Sequence, residues 1–145
     1  MTYIAQFFAM MLTALFIENI IFTRALGTSW LLYLIKKPNE LFRCTVLLTV
    51  ITTLSGAIGY PLRGLVEQSE DSYILIPMMY ILCIAVVYTG VYFFIKYVMP
   101  ETFVNAEFNL GAAAFNCAVL GSLLVPSVGR MDFVSTIGYG LGMSL

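Results

Sequence analysis

Residues Tyr73–Met99 read YILIPMMYILCIAVVYTGVYFFIKYVM, and the only charged side chain in this run is Lys96. A helix needs about 20 mostly apolar residues to cross the hydrocarbon of a bilayer. The aromatic side chains of the run crowd toward its C-terminal end, as they do where a helix meets the membrane interface. The run therefore predicts a transmembrane helix.

The composition of the whole chain supports a membrane protein. Of its 145 residues 61% are apolar and 10% are charged, whereas soluble domains are about a quarter charged. A soluble domain of this size leaves much of its surface in water and could not bury so much apolar area. We therefore predict an all-α integral membrane protein that forms one domain over residues 1–145 with the lipid bilayer around it. The charges are balanced, with 7 basic and 8 acidic residues, so nucleic acid is not an expected partner.

Further apolar segments predict more membrane helices on both sides of this run. They are Leu41–Leu62, Phe108–Val128 and Phe133–Leu145. Pro61 is predicted to close the second helix before a polar loop from Arg63 to Ser72. A turn at Arg130 and Asp132 precedes the last segment, which is too short to span a bilayer as a helix. The C-terminal part of the fold is therefore predicted to be incomplete.

The first apolar segment predicts an interrupted helix. From Tyr3 to Ile35 it is too long for one straight crossing and too short for two, so a helix that is broken or strongly tilted fits best. Its first crossing should reach from Tyr3 to about Phe22, and Glu18 and Asn19 lie within it.

Glu18 and Arg24 are the first candidate site residues. An ionisable group at membrane depth is costly and usually faces the protein interior or a wet cavity, so Glu18 is either a cation or proton site or a group that reaches water at the lipid boundary. Arg24 either pairs with Glu18 across the helix break or extends its guanidinium to the interface.

The second candidate site is Asn116-Cys117, in the middle of the fourth apolar stretch. Cys117 is either a metal ligand or a small apolar residue, and the same two interpretations apply with less weight to Cys44 and Cys83. The chain has no histidine, which excludes catalytic sets that need one. In the last segment Gly138 and Gly142 form a small-xxx-small pair, which predicts close helix packing.

Basic residues in the loops predict the orientation of the chain. The first and third loops carry Lys36, Lys37, Arg43 and Lys96, whereas the second and fourth carry Arg63 and Arg130. Because basic loops stay in the cytoplasm, the N-terminus is predicted to lie outside.

Three motifs occur in an order that is typical of one family. They are Phe16-Ile17-Glu18-Asn19 with Leu26-Gly27 and Lys36-Lys37, then Asn116-Cys117-Ala118-Val119-Leu120-Gly121, then Ile137-Gly138-Tyr139-Gly140-Leu141-Gly142. Over nearly the whole chain the sequence resembles the paired small membrane subunits of Rnf and Na⁺-translocating NADH:quinone oxidoreductase complexes.

The resemblance implies a fold of six helices in two inverted three-helix repeats, with helices one and four broken near the membrane middle. This chain would contain about five of the helices, with repeat one over about 1–100 and an incomplete repeat two over about 101–145. The overlong first segment agrees with a broken helix one, and Gly111 and Pro126 flank the expected break in helix four.

The resemblance also implies a function. Two homologous subunits pair in opposite orientations and hold an iron or [2Fe-2S] centre between them, each with one cysteine from helix one and one from helix four. Electrons cross the prokaryotic inner membrane through this centre, coupled to Na⁺ or H⁺ movement, beside flavin- and iron–sulfur-bearing subunits. The chain would then be a subunit of a redox-driven translocase rather than an enzyme by itself, with Cys117 as an iron ligand and Glu18, Asn19, Arg24 and Asn116 along the ion path or cavity.

This sequence departs from the family at several positions. Ser29 stands where the helix-one cysteine is expected, and Gly111 stands where the family has a proline; the rest of helix five and helix six are absent from this sequence. Ser29 is a poor iron ligand, which leaves three possibilities. The first is an altered iron site, with three thiolates and Ser29 or with Cys83 recruited instead. The second is a metal-free relative that acts as a transporter or membrane scaffold with Glu18 as counter-charge, and the third is a truncated relic.

Overall fold

A computed structural model of the chain describes residues 2–19, 38–98 and 110–144, and in these ranges it contains helices and no strand. The helices are α1 (Thr2–Phe16), α2 (Pro38–Val66), α3 (Ser72–Val98), α4 (Cys117–Val128) and α5 (Phe133–Ser144), with a short helical segment over 110–114 before α4. The predicted all-α membrane fold is thereby confirmed.

Within the described ranges, three stretches are long and apolar enough to cross a membrane. They are Asn39–Val66, Ser72–Val98 and Leu110–Val128, and the last of these includes the segment 110–114 as well as α4. The predicted third helix is confirmed closely, and so is the start of the fifth segment at Phe133. α1 is apolar but shorter than a full crossing.

The second helix is longer than its sequence predicts, and the prediction that Pro61 closes it is wrong. Pro61 lies inside α2, which continues to Val66 and so includes most of the first half of the predicted loop. A proline removes one N–H from the helix ladder, but membrane helices tolerate this where neighbouring groups satisfy the freed carbonyl. The Arg63 guanidinium and the Glu67 carboxylate, 2.9 Å apart, stabilise the turn that follows Pro61.

The long helices run up and down between two ends of the bundle. At the first end, the Arg63 guanidinium near the end of α2 approaches the Pro126 carbonyl oxygen of α4 (3.5 Å), and Gln6 of α1 contacts Asp132, just before α5. At the second end lie the start of α2, near Arg43, and the end of α3. Accordingly α2 and α4 run in one direction, while α1, α3 and α5 run in the other.

The glycines of α5 allow α1 to pack unusually close. A Cβ added at Gly138 would lie 2.8 Å from the Phe7 carbonyl oxygen, and one at Gly142 would lie 2.9 Å from the Ala14 Cβ. Real side chains do not approach so closely, so only glycine fits at both positions. The predicted packing role of this small-xxx-small pair is confirmed.

The core lies where α2, α3 and α4 meet. Its fully buried members include Ile51 on α2, Tyr80 and Ile84 on α3, and Val119 and Leu123 on α4. Large apolar side chains cover much of the outer surface, as expected where lipid or another membrane subunit surrounds the bundle.

Candidate functional site

The fourth apolar stretch is interrupted at Phe115 and Asn116. Asn116 has extended backbone angles (φ −86°, ψ 135°), and its side-chain oxygen accepts a hydrogen bond of 3.1 Å from the Ala118 N–H. This is an N-cap, which satisfies one of the free N–H groups at the start of α4. The break expected in helix four is therefore present, and it lies between Gly111 and Pro126, which flank it as predicted.

This break lies halfway across the bundle. The Phe115 ring packs 5.3 Å from the ring of Tyr88, and Ile84, in the middle of α3, lines the cleft beside the break. Interrupted helices at this depth commonly expose polar groups and helix termini to a site near the membrane middle.

Cys117 is the first residue of α4, and its side chain is exposed on the described part of the chain. Its thiol donates to the Asn116 side-chain oxygen over 3.6 Å. The two residues border an open cleft of about 330 Å³ whose other lining residues are Ile81, Ile84, Ala114, Phe115 and Leu120. The thiol therefore faces an apolar recess beside the positive end of a helix.

The other two cysteines do not join Cys117. Cys83 is buried in α3, and Cys44 is buried among apolar side chains of α2 and Ala113. Neither lines the cleft beside Cys117. Within the described ranges no group of three or more histidine, cysteine or acidic side chains is placed to hold a metal ion.

The first helix ends at Phe16, earlier than the predicted Phe22. The N–H groups of Ile17 and Glu18 both donate to the Thr13 carbonyl oxygen over 2.9 Å, which closes the last turn. Asn19 is buried, and its amide donates to the Leu15 carbonyl oxygen over 3.4 Å, while the Glu18 side chain is exposed. The described residues therefore show α1 ending just before Glu18 and Asn19, and the interruption expected within helix one stays a prediction because its continuation lies outside the described residues.

Two predicted site residues, Arg24 and Ser29, lie outside the described residues. The pairing of Glu18 with Arg24 and the position of Ser29 relative to Cys117 therefore stay predictions. The same holds for the boundary between the two repeats near residue 100.

The sequence analysis did not predict that Arg63 is buried. It used this residue only in counting basic loop residues to predict the orientation of the chain in the membrane. Its side chain is mostly enclosed, bonds to Glu67 and the Pro126 carbonyl oxygen, and lies 6.0 Å from the centre of the Tyr60 ring. The spacing of polar residues along α2 (Thr52, Ser55, Arg63, Glu67) is the signal that could have revealed it, because steps of three, four or eight return to one helix face.

A second polar contact joins α1 to the turn before α5. The Gln6 amide donates to the Asp132 carboxylate (2.9 Å) and to the Ser135 hydroxyl (3.1 Å), and the Ser135 hydroxyl donates to Asp132 (2.7 Å). The hydrogen bond from Ser135 lowers the pKa of Asp132 below its usual value of 3.8.

Several apolar helices in the described part of the chain, one of them interrupted at Phe115 and Asn116, define a multi-pass membrane protein with a broken helix. The profile of a family described as "Rnf-Nqr subunit, membrane protein" matches residues 7–145. The chain belongs to this family, which confirms the resemblance drawn from its motifs.

Two relatives have names that describe their complexes. The first is a subunit of the Na(+)-translocating ferredoxin:NAD(+) oxidoreductase complex of Acetobacterium woodii, and it is 28% identical over 135 residues, which cover 93% of this chain and 70% of the relative. The second is a subunit of the ion-translocating oxidoreductase complex of Azoarcus sp. strain BH72, and it is 24% identical over 141 residues, which cover 97% of this chain and 73% of the relative. By these names, both relatives are subunits of oxidoreductase complexes with several subunits.

Proposed function

We propose that this chain is a membrane subunit of an ion-translocating oxidoreductase complex. In this role it carries electrons across the membrane through an iron centre shared with a homologous subunit, and the transfer is coupled to movement of Na⁺ or H⁺. Family membership and the names of the two relatives support the complex. The observation that carries the electron-transfer role is the exposed Cys117 thiol at a capped helix start halfway across the bundle.

The donor set of this chain fits a centre that a second chain completes. Iron–sulfur clusters are usually held by four cysteine thiolates, and Cys117 is the one thiol that borders the cleft within the described residues. A thiol on the outer side of the cleft is accessible to a neighbouring subunit, whereas a ligand in the core would not be. When bound, such a centre would accept and release single electrons.

The residues around Cys117 have supporting roles in this proposal. Asn116 fixes the start of α4 through its cap and so sets the direction of the Cys117 side chain. Phe115 and Leu120 give the cleft an apolar wall that would exclude water from the metal. Glu18 and Asn19, just after the end of α1, are proposed to line the ion path together with Arg24.

The proposed setting follows from the family. We infer that the chain works in a heterodimer with a homologous membrane subunit, beside flavin- and iron–sulfur-bearing subunits, in the inner membrane of a prokaryote. The distribution of basic residues over the loops favours an N-terminus on the outside.

A second candidate function is that of a metal-free transporter or scaffold subunit. Ser29, where the family has a cysteine, favours it, because a hydroxyl binds iron less well than a thiolate. The exposed Glu18 beside a helix break would then supply the counter-charge for a transported cation.

Two measurements distinguish the electron-transfer subunit from the metal-free transporter or scaffold. They are the iron content and the EPR spectrum of the detergent-purified chain together with its co-purifying partners. We expect iron in the wild type, loss of that iron in Cys117→Ala, and retention in Cys83→Ala, a matched control that removes a buried thiol away from the cleft. A stable wild-type assembly without iron, or iron retained in Cys117→Ala, would contradict the iron-ligand role and favour the transporter or scaffold.

A further inference from the structure

An open groove lies between α2 and α3, away from the cleft beside Cys117. It has a volume of about 580 Å³, and its described lining consists of apolar side chains and one glycine. From α2 the lining includes Leu47, Val50, Leu54 and Ile58, and from α3 it includes Gly90 and Phe94. The volume falls within the range of about 300–1,000 Å³ that is usual for sites of small molecules. The groove is therefore large enough to hold an apolar ligand.

The described part of the chain does not fill this groove. On its α3 side, a Cβ added at Gly90 would have nothing within 4 Å. Leu54 is 45% exposed and Phe94 is 63% exposed, although both line the groove. Apolar side chains that stay exposed together mark a surface that lipid or another protein covers.

The length of the groove matches one leaflet of a bilayer. Its α2 side extends from Leu47 to Ile58, and Arg43 lies one turn before Leu47 on the same face, because steps of three and four residues return to one side of a helix. Between Arg43 and Ile58 the helix rises roughly 22 Å. Half of a bilayer with its headgroup region is about 20–22 Å thick. An acyl chain fits this length, whereas a partner helix that crosses the membrane would need a groove through its whole thickness.

Two charged side chains lie beyond the groove at the second end of the bundle, on the face of α2 that lines it. They are Glu40 and Arg43, whose carboxylate oxygen and guanidinium nitrogen are 3.9 Å apart, and the Arg43 side chain is 46% exposed. A guanidinium has five N–H donors, more than one carboxylate can use, and it binds phosphate oxygens well. Glu40 lies nearly one turn further from the groove, where it can bind an ammonium group attached beyond a phosphate. These charges complement the headgroup of a zwitterionic phospholipid.

We propose that the α2–α3 groove binds one phospholipid whose headgroup carries a primary ammonium group. One acyl chain lies along the groove, the phosphate binds Arg43, and the ammonium group binds Glu40. An anionic phospholipid without an ammonium group presents no positive charge to Glu40 and should bind less well. The proposal does not rest on the iron centre or on the electron-transfer role.

Photo-crosslinking of the complex tests which molecule occupies the groove. The complex carries Phe94→p-benzoylphenylalanine in vesicles of equal amounts of phosphatidylethanolamine and phosphatidylglycerol, and mass spectrometry identifies the adducts. We expect lipid adducts in which phosphatidylethanolamine is enriched several-fold. Phe93→p-benzoylphenylalanine is the matched control, because Phe93 is also exposed but does not line the groove, so its adducts should follow the composition of the vesicles. Adducts at position 94 that follow this composition, or that contain a peptide of a partner subunit in place of lipid, would overturn the proposal.

A pair of glycine variants tests the position of the acyl chain. Gly90→Leu fills part of the groove and should reduce the lipid adducts at position 94 several-fold. Gly64→Leu is the matched control, because a Cβ added there also has nothing within 4 Å but Gly64 does not line the groove, and it should leave the adducts unchanged. Equal yields of lipid adduct in the two variants would overturn the groove as the site.

A pair of acidic-residue variants tests the position of the headgroup. Glu40→Gln should abolish the enrichment of phosphatidylethanolamine, because the ammonium group loses its carboxylate. Glu70→Gln removes an exposed carboxylate between α2 and α3, at the other end of the bundle, and should preserve the enrichment. Enrichment that persists in Glu40→Gln would overturn the headgroup assignment. Iron content does not enter these measurements, so their outcome is separate from that of the proposed function.

Discussion

Single residues at the two ends of α4 hold the broken fourth helix in shape. Asn116 caps its start with a side-chain oxygen. At its end the Met131 N–H donates to the Pro126 carbonyl oxygen over 3.0 Å, and Arg130 takes a positive φ of 49°. This pattern is a helix C-cap whose left-handed residue is usually glycine.

Removal of the Asn116 side chain should destabilise the protein. Asn116→Ala loses the cap, and we expect the free energy of unfolding to fall by about 1 kcal/mol. Asn116→Ser is the matched control, because a serine hydroxyl can accept the same bond from Ala118. Thermal unfolding in detergent measures both variants, and equal stability of the alanine and serine variants would show that the cap contributes little.

Arg130 should be replaceable by glycine with a gain in stability. A residue with a Cβ is strained at this φ, so Arg130→Gly should raise the free energy of unfolding by about 1 kcal/mol. The adjacent Gly129 has an ordinary φ of −72°, and Gly129→Ala should therefore change stability little. Thermal unfolding of the two variants gives the comparison, and a destabilised Arg130→Gly would indicate that the arginine side chain makes a contact that outweighs the strain.

At the scale of elements, the contact between α1 and α5 depends on both small and polar residues. Gly138 and Gly142 allow close approach along the helices, and Gln6, Asp132 and Ser135 join the two helix starts. The sequence predicted the glycine contact because small-xxx-small spacing has a direct steric meaning. It could not predict the polar contact, because Gln6 and Asp132 are 126 residues apart and only the folded chain shows that they meet.

Gly142→Ala should disrupt this helix contact. The new Cβ would overlap the Met11 carbonyl oxygen and crowd the Ala14 side chain, so α1 would have to shift. We expect a loss of about 1–3 kcal/mol in the free energy of unfolding, as for other overpacked cores. Gly90→Ala on α3 is the matched control, because nothing lies within 4 Å of its added Cβ. Similar unfolding temperatures for the two variants would contradict close packing of α1 against α5.

The Asp132 contact predicts a dependence of stability on pH. Its pKa is lowered in the folded protein, so its contribution is fully present above the ordinary pKa of 3.8 and is lost as the pH falls through the folded value. Between about pH 5 and pH 3 the wild type should therefore lose more stability than Asp132→Asn, which cannot titrate. Unfolding temperatures across this range test the prediction, and parallel curves for the two proteins would contradict it.

At the scale of the whole molecule, the sequence predicted the class of fold better than the site. Apolar runs define membrane helices regardless of tertiary detail, so four of the five predicted segments begin close to where helical structure is observed. The predicted end of α2 was wrong because a helix can continue through Pro61 only when neighbouring groups allow it, and the local sequence does not show those neighbours. Asn116 and Cys117 were found, but the cleft that they border is also lined by Ile81 and Ile84 of α3, and only the folded chain shows that these helices face each other.

The parallel pairing of α1 with α5 also has a consequence for biogenesis. A ribosome adds roughly 5–20 residues per second, so Gln6 leaves it on the order of ten seconds before Asp132. During that interval α1 lacks α5, which is its main packing partner among the described helices. A transient partner, such as the insertion machinery or another protein of the complex, would favour its retention in the membrane until α5 is made. In cells, the order of synthesis of the subunits would then influence the yield of the complex.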